Sequence, residues 1–161
     1  MSIKSIVLDT TYILPYFSVN IKELENFREV SSKIWSEGIE GYEFYLPDTC
    51  LMESFFKLAS EYRNKSDISI LNRYMITIPS IKSSNTVKIF NPLINAEASK
   101  ITAKIRHAGH TDLMDCLIAA SATVLKAILL TEDIELGRIL KQIPETKNTI
   151  NWSWNEFIKN I

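Results

Sequence analysis

Four acidic side chains could together bind a divalent cation: Asp9, Glu53, Asp115 and Asp133. Carboxylates that lie close together repel one another, and a buried carboxylate is costly unless a cation neutralises it. Oxygen ligands without paired cysteine or histidine favour Mg²⁺ or Mn²⁺ over Zn²⁺. These residue types therefore indicate a Mg²⁺ or Mn²⁺ site, provided that the fold brings them together.

Two of these acids come shortly after predicted strands. Asp9 follows the apolar run Ile6–Leu8, and Asp133 comes soon after Ile128–Leu130. Ligands of open α/β sheets bind beyond the carboxyl ends of the parallel strands, which meet at one edge. We therefore expect Asp9 and Asp133 at the same rim of a sheet.

The other two acids lie early in predicted helices. Glu53 is one turn into its helix, and Asp115 lies directly before the apolar run Leu117–Ala120. An acid in a first helical turn can also simply satisfy free N–H groups and complement the helix dipole. That purely structural interpretation is preferred for three further acids: Asp48, Asp67 and Asp112.

Apolar periodicity predicts strands and helices that alternate along the chain. The predicted strands span 3–8, 44–46, 86–90, 127–130 and 149–152, and the predicted helices about 20–37, 48–62, 68–78, 94–107, 112–126 and 133–142. Such alternation implies a parallel sheet that helices cover on both faces. The expected fold is α/β, a three-layer α/β/α sandwich with a central parallel sheet of about five strands. One domain is expected over 1–161, with a helical excursion at about 18–41.

Composition limits the possible classes of protein. The 161 residues include 18 Lys+Arg and 19 Asp+Glu, a formal net charge of −1. This balance excludes adhesion of the whole surface to nucleic acid, but it allows a local basic surface beside an acidic pocket. No apolar run approaches the roughly 18 residues of a membrane span, and the N-terminus lacks the pattern of a signal peptide. We therefore expect a cytoplasmic protein without a membrane partner.

Four segments in order resemble the motifs of the PIN-domain ribonucleases. VLDTTYIL resembles the opening strand of that family and LMESFFKL its second motif, with Asp9 and Glu53 as the acids. MDCLIAASA and ILLTED resemble the third and fourth motifs, with Asp115 and Asp133. Each motif is weak alone, but all four occur in order, and the resemblance runs over nearly the whole chain.

The resemblance implies a Mg²⁺- or Mn²⁺-dependent endoribonuclease. Asp9, Asp115 and Asp133 would hold the metal, and Glu53 would help directly or through water. Hydrolysis of the RNA phosphodiester would leave a 5′-phosphate and a 3′-hydroxyl. Many small members of this family are toxins of toxin–antitoxin pairs and form homodimers, so an antitoxin protein and a second copy are the implied partners.

Accessory residues are expected beside the four acids. Thr10, Thr11 and Thr131 could bind waters or a phosphate oxygen, and an equally good interpretation is that they complete turns and caps. Asp112 is a further accessory acid by its nearness to Asp115.

The RNA backbone requires basic side chains near the rim. The candidates are Lys57, Arg63, Lys65, Lys100, Lys104 and Arg106. On helix surfaces such charges are commonly only solvated. His107 and His110 suggest a zinc site by their spacing, but Gly109 is expected to break the helix between them, so this site is not preferred. Either histidine could contact phosphate instead.

Two alternatives to a toxin nuclease stay open, and a phosphatase is not favoured. The chain could be an RNA-processing nuclease outside a toxin–antitoxin system, or a non-catalytic RNA-binding or scaffold PIN domain. Phosphatases of the haloacid dehalogenase type need a second acid two residues after the first, where this chain has Thr11. The excursion could serve as a dimer element, a substrate clamp or an antitoxin-binding surface.

Overall fold

The computed structural model describes residues 3–161, so Met1 and Ser2 of the predicted domain lie outside it. The strands are β1 (Lys4–Leu8), β2 (Tyr42–Pro47), β3 (Val87–Phe90), β4 (Ile128–Leu130) and β5 (Asn151–Trp152). The helices are α1 (Phe27–Ser36), α2 (Thr49–Lys65), α3 (Ser69–Lys82), α4 (Ala96–His107), α5 (Leu113–Val124), α6 (Ile134–Leu140) and α7 (Trp154–Ile158). Short 3₁₀ turns span Thr10–Tyr12, Leu14–Phe17 and Pro92–Ile94.

The five strands form one parallel sheet in the order β3-β2-β1-β4-β5. The chain first moves outward from β1 through β2 to β3 and then returns to place β4 on the other side of β1. The strand order therefore reverses between β1 and β4, where Ile6 pairs with Ile128 and Leu8 with Leu130. In such sheets, this point opens a crevice at the carboxyl ends of the strands.

Both faces of the central strands are covered. Ile6, Val7 and Leu8 in β1 are each at most 2% exposed, and all residues of β4 are buried. Because successive side chains of a strand point to opposite faces, continuous burial requires packing on both sides of the sheet. The expected α/β fold with five parallel strands and covering helices is confirmed.

The helix predicted over 20–37 is shorter in the structure and begins at Phe27. Asn26 has a left-handed backbone (φ 52), which cannot continue an α-helix. The carbonyl of Glu25 accepts a hydrogen bond from Trp154 Nε1 at 2.7 Å. A side chain at the far end of the sequence thus binds this carbonyl, and the segment before α1 packs irregularly against the core.

The C-terminal helix α7 is not among the predicted elements. Its N-cap is Ser153, which exchanges hydrogen bonds with Glu156 in a capping box. Trp154 is 1% exposed and stacks on Tyr12 with ring centroids 5.5 Å apart. The Glu132 carboxylate accepts hydrogen bonds from the Tyr12 hydroxyl at 2.9 Å and from the backbone N–H of Trp154 at 2.7 Å. The terminal segment is therefore part of the core.

Within residues 3–161, none of the helices is both long and apolar enough to cross a membrane.

Candidate metal centre

Asp9 lies where β1 ends, at the reversal of strand order. Its N–H donates to the carbonyl of Leu130 at 3.2 Å, and its Oδ2 accepts from Thr131 Oγ1 at 2.7 Å. Burial raises the pKa of Asp9 to about 7, and the negative charges of Asp115 and Glu53 add to this rise, which the Thr131 hydrogen bond opposes. Without a cation, the surroundings of Asp9 therefore oppose its negative charge.

Thr131 links Asp9 to Asp133. The same Thr131 hydroxyl that donates to Asp9 accepts the N–H of Asp133 at 3.1 Å. Asp133 is the N-cap of α6, since its Oδ1 accepts from the Leu136 N–H at 2.9 Å. That bond occupies one carboxylate oxygen of Asp133 and leaves Oδ2 for another partner.

Glu53 projects from α2 toward the turn after β1. Its Oε2 accepts a hydrogen bond from the hydroxyl of Thr10, which is 2% exposed. Its Oε1 lies 3.4 Å from Lys57 Nζ, one turn further along α2. Thr10, the residue after Asp9, thus orients Glu53. Thr11 is the next residue of the same turn and is half-buried.

Asp115 lies in the first turn of α5, beside a buried histidine. Its Oδ2 is 3.0 Å from Nε2 of His110, whose side chain is only 7% exposed. Burial raises the pKa of Asp115, as do the charges of Asp112 and Glu53, whereas His110 lowers it. Asp112 is exposed and caps α5, because its Oδ1 accepts from the N–H groups of Met114 at 2.8 Å and of Asp115 at 3.4 Å.

The three acids favoured as caps behave differently. Asp67 accepts from the Ser69 N–H at 2.9 Å and Asp112 caps α5, as expected. Asp48 is the N-cap of α2, as expected, but its side chain makes no capping hydrogen bond. Its Oδ1 is buried and, among residues 3–161, lacks a hydrogen-bond partner. Burial raises the pKa of Asp48.

His110 joins Asp115 to Asp133, a contact that the sequence pattern did not predict. Its Nε2 lies 3.9 Å from Asp133 Oδ2 in addition to the contact with Asp115. In the described residues, ligand atoms of His110, Asp115 and Asp133 all lie within 4.8 Å of one another. Opposite ligands of an octahedral Mg²⁺ ion are about 4.2 Å apart and adjacent ones about 3.0 Å. The donors therefore fit a divalent ion after a small contraction.

This group differs from the expected ligand set of Asp9, Asp115 and Asp133 by having His110 instead of Asp9. The signal available in the sequence was the segment GHTDLMD, in which a glycine ends α4 and a histidine precedes Asp115. His107, in contrast, is an exposed residue at the end of α4. The loop at Gly109 thus places His110 beside the acids and leaves His107 exposed.

The expected RNA-binding side chains have different surroundings. Lys57 pairs with Glu53, Lys104 pairs with Glu145, and Lys100 is exposed on α4. Arg106 donates to the carbonyl of His110 at 3.1 Å, so it contacts the loop that carries the candidate metal ligand.

Solved structures with a similar fold include toxin–antitoxin complexes. VapBC2 from Rickettsia felis, bound to a DNA fragment from its promoter, matches with a TM-score of 0.60 and 15% identity over 93% of this chain and 98% of that chain. DNA-bound VapBC from Salmonella typhimurium matches with a TM-score of 0.58 and 15% identity over 94% and 99%. A toxin–antitoxin complex from Klebsiella pneumoniae matches with a TM-score of 0.51 and 18% identity over 86% and 92%.

No protein-family model matches the sequence. No curated protein matches it either. At identities of 15–18%, the structural matches establish a shared fold. This chain has the PIN-like fold that its four motifs resemble.

Proposed function

We propose that the protein is a metal-dependent endoribonuclease whose active site is the carboxylate cluster at the carboxyl ends of β1 and β4. One observation carries the proposal: near the point where the strand order reverses, four acids from separate parts of the chain share hydrogen-bond partners or lie close enough to shift one another's pKa, namely Asp9, Glu53, Asp115 and Asp133. Burial, with a smaller contribution from the neighbouring carboxylates, raises the pKa of Asp9 to about 7, and a bound cation would offset this cost of its charge.

The side chains divide into ligands and groups that position them. Asp9, Asp115 and Asp133 would hold Mg²⁺ or Mn²⁺, and Glu53 would help directly or through water. When bound, the metal supplies a water of lowered pKa and stabilises charge on the phosphate. Thr131 orients Asp9, and Thr10 orients Glu53. A carboxylate oriented in this way can take a proton from an attacking water.

Cleavage of a mixed-sequence fluorescent RNA tests the proposal. Wild type should cut with Mn²⁺ or Mg²⁺ and stop with EDTA, and Asp9→Asn and Asp115→Asn should each lower the rate by at least about 100-fold. Asp67→Asn is the matched control, because Asp67 is an exposed acid outside the site. Equal cleavage by wild type and both site variants would contradict the assignment, and wild-type RNA binding without cleavage would favour the scaffold alternative.

RNA contacts are proposed for Lys57, Lys100, Lys104 and Arg106. Lys57 and Arg106 contact site residues directly, which supports a path for the RNA backbone past the end of α4. Replacing Lys100 with alanine should weaken RNA binding and reduce the salt slope by about one. An unchanged salt slope would remove Lys100 from the interface.

The proposed biological setting is a toxin–antitoxin pair in the cytoplasm. Support comes from the shared fold with the VapBC2 and VapBC complexes. Exposed apolar side chains on α2 and α3 give the chain a surface of the kind that a protein partner covers: Met52, Phe55, Phe56, Met75 and Ile76. A role in RNA processing is the alternative setting.

Expression in a bacterial host separates these settings. A toxin should arrest growth unless the product of the neighbouring reading frame is co-expressed, and Asp115→Asn should be harmless. Copurification of the two proteins should be lost on changing Phe56 and Met75 to serine. Light scattering should give the mass of a homodimer for the chain alone. Harmless expression of the wild type would favour RNA processing.

A further inference from the structure

We infer that His110 is itself a metal ligand, through Nε2, and that the donor set of His110, Asp115 and Asp133 makes this site prefer Mn²⁺ over Mg²⁺. The inference rests on the proposed function only in that a divalent ion occupies the carboxylate cluster. It adds a nitrogen ligand that the four-acid motif does not contain, and with it a choice between metals.

The first support is geometric. Nε2 of His110 lies 3.0 Å from Asp115 Oδ2 and 3.9 Å from Asp133 Oδ2. The first distance is already that of two adjacent octahedral ligands, about 3 Å. The second closes to this value with a shift of about 1 Å, within the reach of a side-chain rotation. Ligation uses the Nε2 lone pair, so the ion replaces the contact between His110 and Asp115.

The second support is that the loop holds His110 in place before any ion binds. Gly109 has a φ of +114, which lets the chain turn sharply after α4. The N–H of His110 donates to the Ile105 carbonyl at 3.4 Å. The carbonyl of His110 accepts from Arg106 at 3.1 Å and from the Cys116 thiol at 3.9 Å. Both the backbone N–H and the carbonyl of His110 are therefore hydrogen-bonded. Because this backbone is already ordered, metal binding by His110 would cost little further backbone entropy.

The third support is the chemistry of the donors. Mg²⁺ is a hard cation that takes oxygen ligands in a near-ideal octahedron and keeps several waters. Imidazole nitrogen binds transition-metal ions more tightly, and Mn²⁺ is the member of that series that also accepts carboxylates readily. A buried imidazole between two carboxylates therefore favours Mn²⁺. A purely structural histidine would instead only donate a hydrogen bond to Asp115.

Pulsed electron paramagnetic resonance of Mn²⁺ bound to the RNA-free protein distinguishes these roles. The chain contains only two histidines, so His107→Asn is a matched control that removes the exposed histidine. Wild type and His107→Asn should both show nitrogen hyperfine coupling to Mn²⁺, with the signal changing on ¹⁵N-histidine labelling. His110→Asn and His110→Gln should lack it, and thermal unfolding checks that both variants are folded.

Titration calorimetry on the same proteins measures the preference. Loss of His110 should weaken Mn²⁺ binding by about 10-fold or more while changing Mg²⁺ binding by less than about 3-fold. Bound Mn²⁺ without histidine coupling in the wild type, or coupling that persists in folded His110→Asn, would overturn the inference and leave the nuclease proposal standing. Failure of the wild type to bind any divalent ion, with no metal-dependent cleavage, would overturn both.

Discussion

Asp9 is a buried acid whose negative charge is disfavoured in the metal-free folded protein. Its folded-state pKa of about 7 lies above its usual value of 3.8, because burial and the neighbouring carboxylates disfavour its charge. The folded protein thus binds more protons than the unfolded chain between these values, and its stability falls as the pH rises from about 4 to 7. The loss from this residue is at most about 4 kcal/mol.

Metal-free Asp9→Asn should therefore be more stable than wild type at pH 8 and equally stable near pH 4. Urea unfolding in EDTA at both pH values measures this difference. Added Mn²⁺ should stabilise the wild type more than the variant, since the cation removes the repulsion. Asp67→Asn serves as the control for loss of one negative charge. A stability gain of equal size at both pH values would contradict the explanation.

The Thr131 hydroxyl couples Asp9 to Asp133, and Thr131→Val should uncouple them. The variant leaves the Asp133 N–H without its acceptor and Asp9 without its donor, at a cost of about 1–2 kcal/mol. The pKa of Asp9 should rise further, because that hydrogen bond lowers it. Denaturant titration gives the stability, and Mn²⁺ calorimetry should show weaker binding.

Thr123→Val is the matched control for this substitution. The Thr123 hydroxyl bonds the Ala119 carbonyl at 3.0 Å and Thr149 at 2.9 Å, away from the acids. This variant should lose stability without losing Mn²⁺ affinity. Equal Mn²⁺ affinity in wild type and Thr131→Val would show that the hydroxyl does not organise the site.

At the scale of elements, Asp112 caps the N-terminus of α5 and so stabilises the first turn, which positions Asp115 at the rim. Asp112→Ala should cost about 1 kcal/mol by removing the cap, whereas Asp112→Asn should keep the cap and the stability. Thermal unfolding compares the two variants. The cleavage assay then separates capping from the accessory role, which predicts a rate loss in Asp112→Asn despite its intact stability.

At the scale of the whole molecule, α7 fastens the segment before α1 to the core. Trp154→Phe keeps a large ring beside Tyr12 and Phe27 but removes the hydrogen bond to the Glu25 carbonyl. Stability should fall by about 1–2 kcal/mol, and the amides of residues 19–26 should exchange faster with deuterium. Trp152→Phe, in β5, is the control and should leave that exchange unchanged. Equal exchange in all three proteins would contradict this role of α7.

Local sequence was sufficient for the order and type of most elements. The apolar runs of β1 and β4 and the amphipathic pattern of α2 and α5 follow from periodicity alone, because burial on a strand or a helix repeats over a few residues. The same patterns put Asp9 and Asp133 at strand ends. The meeting of Asp9 and Asp133 at one rim was therefore predictable once the sheet was expected to be parallel.

Tertiary structure decided what depends on residues far apart in the chain. Helix α1 begins only at Phe27, and Trp154 binds the Glu25 carbonyl that a longer helix would use. No window around residue 25 contains that contact. His107 and His110 are only three residues apart, yet the glycine loop after α4 turns only His110 towards the acids. Periodicity reports which face of an element is buried. It does not report which side chains from separate elements meet, because that is fixed by the packing of the whole chain.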